Sequence, residues 1–167
     1  MAKIVIQRVS YLGVILADRV IDSLISEEKH IDKQLAVADI KFKYERGHRR
    51  YDKEITGENK SSFILKIRQN EKNPLDFSVI LAYRMVNSNK VIRLRRYNGK
   101  SHNHTNCLEK TEIKNTFHIH YATERYQING FQEDGFAQVT DRYSDLDGAL
   151  KCMMTDCHFT FNQAVIN

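Results

Sequence analysis

The chain has 167 residues, of which 41% are hydrophobic and 28% charged, with a formal net charge of +5. This composition is close to that of ordinary globular proteins, which argues against a disordered chain, and it fits one domain over residues 1–167. No apolar run approaches the about 18 residues that span a bilayer, and no signal-peptide pattern opens the sequence. Because the three cysteines are too few for a disulfide framework, we expect a soluble cytoplasmic protein without a membrane partner. The positive charge favours a polyanionic partner.

The first part of the chain combines a short strand with a helical region. Residues 3–9 predict the strand, and apolar residues recur at helical spacing over residues 16–35. Ser26, which Glu27 and Glu28 follow, is a candidate N-cap for a second helix inside that stretch. We therefore expect one or two helices there.

From residue 40 onward the sequence predicts an antiparallel sheet. Short runs of β-branched and aromatic residues alternate with turn signals such as Arg46-Gly47 and Asn98-Gly99. Consecutive strands joined by short turns form antiparallel meanders. The predicted strands cover residues 40–45, 49–56, 62–69, 77–86, 90–97 and 116–121.

A C-terminal helix is predicted over residues 144–157. Ser144 and Asp147 match a capping box, and apolar residues then share one helix face. Residues 122–143 contain turn signals and predict no regular element. The predicted fold class is α+β: an antiparallel β-sheet meander with an N-terminal helical region and a C-terminal helix packed on one face.

Basic and aromatic side chains recur on one face of a central predicted strand. Alternation places Arg93, Arg95 and Tyr97 on one face, opposite the apolar Ile92 and Leu94. The apolar face suits the core, and the cationic face is therefore expected to be exposed.

The preceding strand can extend this cationic face. If Val86 pairs with Val91 around a four-residue loop, Arg84 lies opposite Arg93. A slip of one residue would reverse the face, and the sequence does not fix the register.

Histidines continue the pattern in the next predicted strand. His118 and His120 have the same parity within residues 116–121, and His102 and His104 lie in the loop before it. Side chains two residues apart on a strand emerge on one face, about 7 Å apart. Two imidazoles at that separation can flank a phosphodiester.

This combination of side chains suits RNA chemistry. Histidine can be both acid and base near neutral pH, arginine neutralises phosphate, and tyrosine stacks on bases or donates to a phosphoryl oxygen. Such cleavage needs no metal or cofactor, and none is expected. The candidate catalytic residues are His118, His120, His102 and His104, and the candidate substrate-binding residues are Arg84, Arg93, Arg95 and Tyr97.

Two other interpretations of the same residues stay open. A cationic strand face can be a solvated surface, on which alternating histidines are only outward polar positions. The second interpretation is a zinc site, since His102, His104 and Cys107 have a spacing that could supply three ligands. Its fourth ligand would be Cys152, Cys157 or His158. Cys152 and Cys157 point about 140° apart on a regular helix and cannot bind the same ion.

Three segments carry a family resemblance: FSVILAYR at residues 77–84, VIRLRRYNGKSHNH at residues 91–104 and TFHIH at residues 116–120. They resemble the TumE-type toxin family of bacterial toxin–antitoxin systems, in which a hairpin ends in Arg-Tyr-Asp/Asn and histidines follow. Residues 122–150 are similar to an uncharacterised bacterial domain family. The chain departs from the TumE pattern in its greater length and in histidines that alternate rather than adjoin. The matching positions are Arg96, Tyr97, Asn98, His102, His104, His118 and His120.

The resemblance and the side chains together predict a toxin-like RNA-binding protein. It is a candidate metal-independent ribonuclease, and the resemblance implies a cognate antitoxin protein as partner. The alternative is a non-catalytic phage or mobile-element binding module, which would use the same face to hold nucleic acid or an acidic partner protein. A small zinc-stabilised domain is the third hypothesis.

Overall fold

A computed structural model describes residues 8–10 and 13–162 of the chain. Within these residues the strands are β1 (Arg8–Ser10), β2 (Gly13–Ile15), β3 (Lys29–Ile31), β4 (Lys43–Glu45), β5 (His48–Thr56), β6 (Ser62–Asn70), β7 (Phe77–Arg84), β8 (Val91–Asn98), β9 (His104–Asn106), β10 (Thr111–Ile113), β11 (His118–Tyr121), β12 (Phe136–Val139) and β13 (Phe159–Phe161). The α-helices are α1 (Asp18–Ser26), α2 (Glu124–Ile128) and α3 (Leu146–Asp156), and Val37–Asp39 forms a 3₁₀ turn.

A seven-stranded antiparallel sheet is the centre of the fold. Its strand order is β12-β11-β8-β7-β6-β5-β4, so most neighbours in the sheet are also neighbours in the sequence. Smaller pairs join β1 with β2, β9 with β10, and β3 with β13. The predicted α+β class is confirmed. None of the helices in the described residues is long and apolar enough to cross a bilayer.

The hydrophobic core lies between one face of this sheet and the helices. From α3, Ala149, Leu150 and Met153 are fully buried, and the helix packs against β7 and β8. Burying each large apolar side chain contributes about 1.5–3 kcal/mol. The predicted capping residue of α3 was wrong: Asp145, not Ser144, accepts a hydrogen bond from the Gly148 amide at 2.8 Å.

The N-terminal region contains one helix rather than two. After α1, the chain enters β3, so the second helix predicted from Ser26 is wrong. The buried Lys29 side chain donates to backbone carbonyls at the end of α1, including that of Leu24 at 2.9 Å. These long-range contacts outweigh local helix propensity. Most of the predicted strand over residues 3–9 lies outside the described residues.

The predicted strands of the meander correspond to β4, β5, β6, β7, β8 and β11. In the hairpin of β7 and β8, Arg84 pairs with Val91, two residues from the predicted register. A shift of two preserves the face of each side chain, so Arg84 and Arg93 do share a face, as predicted. Residues 122–143, for which the sequence predicted no element, contain α2 and β12.

Candidate functional site: a histidine cluster on the polar face

The sheet face that points away from α3 carries the candidate site. On it, His118 of β11 pairs with Asn98 of β8, and His120 pairs with Arg96. Arg93 joins them further along β8, opposite Ala82. We call this side of the sheet the polar face.

Two predicted members of this face lie on the opposite side of the sheet. In β8, Arg93 is opposite Ala82 of β7, and Arg95 is opposite Leu81, the residue just before Ala82. Two steps along β8 thus correspond to one step along β7, which makes Leu94 the site of a bulge. The extra residue resets the alternation of side chains along β8. The prediction that Arg95 and Tyr97 share a face with Arg93 was therefore wrong.

Both residues are engaged on the core side instead. The Arg95 guanidinium lies 4.2 Å from the centre of the Tyr121 ring. The Tyr97 side chain is fully buried, and its hydroxyl donates a hydrogen bond to Asp156 at 2.7 Å. Neither side chain reaches the polar face.

The structure brings four histidines together at one end of the polar face. The ring centres of His104 and His120 are 4.5 Å apart, and those of His118 and His120 are 5.0 Å apart. His118 also lies 5.8 Å from His104 and 5.3 Å from His102. We call these four residues the histidine cluster.

His118 and His120 are buried, which corrects the prediction of an exposed pair. Their exposed fractions are 0% and 1%, because the β9–β10 hairpin and the loop before β12 cover this end of the sheet. The covering contacts include His104 against His120 and a hydrogen bond from His120 Nδ1 to the Asp134 carbonyl at 2.8 Å. Strand parity alone does not reveal such a cover.

Asn98 lies between the two buried rings. Its side-chain nitrogen is 3.3 Å from Nε2 of His118 and 3.2 Å from Nε2 of His120, and its oxygen accepts from the Ser78 hydroxyl at 2.8 Å. His118 Nδ1 donates to the Thr116 carbonyl at 2.6 Å. These partners fit neutral rings with the proton on Nδ1 and with Nε2 accepting from Asn98. Arg96 Nη2 also lies 3.1 Å from Nδ1 of His120.

Burial also keeps these two rings uncharged. Desolvation is the largest cause that lowers the pKa of His118 to about 4 and that of His120 to about 2. The neighbouring Arg96 charge lowers both pKa values further. At neutral pH neither ring carries a proton that it could donate as an imidazolium.

His102 and His104 are the accessible members of the cluster. His102 is exposed and His104 is partly buried. His104 Nε2 donates to the Gly135 carbonyl at 3.0 Å and lies 3.1 Å from Asn106 Oδ1, while its Nδ1 makes no hydrogen bond to the described residues. Partial desolvation, and then the Arg96 charge, lower the pKa of His102. Of the four rings, these two are the ones that a bound ligand can reach.

An arginine–aspartate group adjoins the cluster. Asp134 is fully buried, and its Oδ2 accepts from Arg96 Nε at 2.8 Å. Arg93 Nη2 lies 3.0 Å from Oδ1, but without hydrogen-bond geometry, so Oδ1 has no hydrogen-bond donor in the described part of the chain. In the sequence, Asp134 is recognisable only as part of an Asp134-Gly135 turn signal. Its contacts with Arg96 and Arg93 were not predicted.

Arg84, the remaining predicted substrate-binding residue, is distant from the cluster along the strand direction. It lies on the polar face and forms an ion pair with Glu54 at 2.8 Å. The structure therefore connects Arg93 to the cluster only through Asp134 and Arg96, and it leaves Arg84 at the other end of β7.

The proposed zinc ligands are not assembled. Cys107 is exposed near the cluster, whereas Cys157 is buried in the core. Across residues 8–10 and 13–162, no three His, Cys, Asp or Glu side chains are placed to hold a metal ion.

Comparison with known proteins gives a family without an assigned function. Residues 16–158, which include the whole histidine cluster, match the family of unknown function DUF6978. No curated protein and no solved structure matches the chain. The resemblance to TumE-type toxins stays a prediction.

Proposed function

We propose that this chain, a member of the DUF6978 family of unknown function, is a toxin-like ribonuclease. It binds RNA at the histidine cluster. It cleaves the RNA backbone by general acid–base catalysis without a metal ion. His102 and His104 transfer the protons, and the buried His118 and His120 hold the site in place. A cognate antitoxin protein and a cytoplasmic location belong to the same proposal.

The observation that carries this proposal is the placement of two accessible imidazoles around one buried ring. His102 and His104 lie 5.3 Å and 5.8 Å from His118, centre to centre. In this proposal the phosphodiester binds between the two accessible rings, outside the fully buried His118. One general acid and one general base on either side of a phosphodiester are the groups that RNA cleavage needs.

The proposed step conserves atoms and charge. Neutral His102 removes the proton of the ribose 2′-hydroxyl, and the 2′-oxygen forms a bond to phosphorus. The bond from phosphorus to the 5′-oxygen breaks, and protonated His104 gives that oxygen its proton. The products are a 2′,3′-cyclic phosphate and a 5′-hydroxyl. The lowered pKa of His102 supports its role as the base, because the ring is then neutral at neutral pH.

The neighbouring side chains have positioning roles in this proposal. Asn98 fixes the two buried rings, and Asn106, whose side-chain nitrogen donates to the Ala137 carbonyl at 2.9 Å, fixes the hairpin that carries His104. Arg96 lies beside the cluster, and its charge is paired with that of the buried Asp134 at 2.8 Å. Its role in this proposal is to hold His120 in place, since its Nη2 lies 3.1 Å from Nδ1 of that ring. The three cysteines are free thiols, which supports a reducing compartment.

A binding module without catalysis is the second candidate function. The burial of His118 and His120 favours it, because rings that are neutral and hydrogen-bonded inside the fold can be purely structural. Such a module would hold nucleic acid or an acidic partner on the polar face without breaking a bond.

Cleavage of a short unstructured RNA in the presence of chelator separates the two candidates. We expect His102→Ala and His104→Ala each to slow cleavage by about 10²–10⁴-fold, the usual contribution of a general acid or base. His30→Ala is the matched control, since His30 is exposed and lies on β3, outside the polar face. A parent that binds RNA but does not cleave it would leave the binding module. Unchanged rates in both cluster variants would contradict the roles given to His102 and His104.

A further inference from the structure

One line of side chains crosses the polar face from its far edge to the histidine cluster. Directly paired positions join β4, β5, β6, β7, β8 and β11 in a single row perpendicular to the strands. The row consists of Lys43, Arg50, Arg68, Ser78, Asn98 and His118. Three consecutive positions are therefore basic, and we call Lys43, Arg50 and Arg68 the basic row.

The basic row is unusual because like charges face each other. Lys43 is opposite Arg50, and Arg50 is opposite Arg68. Like charges directly across an antiparallel pair destabilise the sheet. This arrangement has a cost in the free protein that a bound polyanion would remove.

At neighbouring positions of the same face, opposite charges lie close to each other. Asp52 is opposite Lys66, with 3.8 Å between their charged atoms. Glu54, two residues further along β5, forms an ion pair at 2.8 Å with Arg84 of β7, which lies in the next row, opposite Ser62. Opposite charges thus pair at these neighbouring positions, whereas Lys43 and Arg50 of the basic row have no ion-pair partner among the described residues.

The basic row is also available to a ligand. Lys43 and Arg50 are exposed, and neither has an ion-pair partner among the residues that the structure describes. Arg68 is 39% exposed; it forms an ion pair with Asp76 at 3.6 Å and also contacts His48. The positive end of the row is therefore open, and its other end adjoins His102 and His118.

We propose that the basic row binds the backbone phosphates of single-stranded RNA and leads the strand into the histidine cluster. This inference rests on the proposed function and names its substrate class. The three strands of the basic row lie about 4.8 Å apart, so the row is about 10 Å long, and the whole line of paired positions as far as the buried His118 spans about 24 Å. The accessible part suits a segment of a few nucleotides. A line of cations on a sheet face can follow the backbone of a flexible single strand.

The test compares two double variants that lose the same charge. Lys43→Ala with Arg50→Ala removes two cations from the basic row. Lys41→Ala with Lys53→Ala is the matched control, because these lysines line a cavity with Ile31 on the other side of the sheet. The probe is a fluorescent single-stranded RNA with 2′-O-methyl groups throughout, which the protein can bind but cannot cleave.

Affinity is measured as a function of salt concentration. Each lost phosphate contact lowers the slope of log affinity against log salt by about 0.7 for single strands, so the basic-row variant should lose about 1.4. The control variant should keep the slope of the parent. Equal slopes in parent and basic-row variant, or equal losses in both variants, overturn the basic row as the binding track.

The outcome is separable from that of the proposed function. If the parent binds the modified RNA through the basic row but does not cleave unmodified RNA, the catalytic proposal fails and the basic row stands. If the parent cleaves RNA and the basic-row variant binds as the parent does, the catalytic proposal stands and the basic row fails. A parent that binds no single-stranded RNA contradicts both.

Discussion

Asn98 and His118 face each other on adjacent strands, and their side chains are within hydrogen-bond distance. They are directly paired across β8 and β11, and Asn98 Nδ2 lies 3.3 Å from His118 Nε2. Both side chains are fully buried. A buried polar pair of this kind is stable only while each group keeps its partner, so it ties the histidine cluster to the stability of the sheet.

Replacement of Asn98 by Leu should therefore destabilise the fold strongly. The change leaves Nε2 of His118 and His120 and the Ser78 hydroxyl without their hydrogen-bond partner. Each unsatisfied buried group costs about 1–3 kcal/mol, so we expect a loss of at least about 3 kcal/mol in the free energy of unfolding. Urea denaturation measures it. Asn89→Leu, at an exposed position in the β7–β8 loop, should change stability by less than about 0.5 kcal/mol.

The stability of the protein should fall as the pH drops below 6.5, the ordinary histidine pKa. Burial lowers the pKa of His118 to about 4 and that of His120 to about 2, from 6.5. Between these values the unfolded chain binds protons that the folded chain does not, so acid favours unfolding. Above pH 6.5 both states are neutral at these rings, and they contribute no pH dependence.

The measurement is the free energy of unfolding between about pH 7 and about pH 5, where few carboxylates titrate. Two such histidines give a slope of at most about 2.7 kcal/mol per pH unit at the acid end of this window. His118→Gln should reduce the slope, and His30→Gln, at an exposed position, should not. A stability that is flat over this range would show that the buried rings are not held neutral.

Asp134→Asn should destabilise the protein through its two arginine partners. The carboxylate is fully buried and lies 2.8 Å from Arg96 and 3.0 Å from Arg93. Loss of one partner of a buried ion pair costs about 3–5 kcal/mol, because the remaining charge is uncompensated. Thermal unfolding of this variant and of Asp141→Asn, at an exposed position, provides the comparison. A loss below about 1 kcal/mol would contradict the structural role given to Asp134.

Zinc removal should leave the protein folded. The described residues contain no three side chains of ligand type that are placed to hold a metal ion. We expect purified protein to contain less than one zinc per chain and to keep its melting temperature in chelator. One zinc per chain, with unfolding after its removal, would favour the zinc-stabilised domain and make the histidines ligands.

Much of the sheet was predictable because alternation and turn signals are local. The period of two correctly placed His118 and His120 on the face opposite Ile119. The bulge at Leu94 was not predictable, since no glycine or proline marks it and it arises from the pairing of β8 with β7. One inserted residue was enough to move Arg95 and Tyr97 to the other face.

The cover over the histidine cluster was also beyond local patterns. His104 approaches His120 only because the β9–β10 hairpin folds back on β12, through the hydrogen bonds between Asn106 and the Ala137 backbone. Asp134 reaches Arg96 from 38 residues further along the chain. The residue types of the site were predictable, but the division into buried and accessible histidines depends on these long-range contacts.

The most direct test of the central claim is whether the protein cleaves RNA through the 2′-hydroxyl. Two single-stranded RNAs of the same base sequence are incubated with the parent protein in chelator. One is unmodified, and the other has 2′-O-methyl groups throughout. The account predicts cleavage of the unmodified strand alone, with 2′,3′-cyclic phosphate ends, and loss of that cleavage in His104→Ala. An unmodified strand that stays intact, or equal cleavage of both strands, would contradict it.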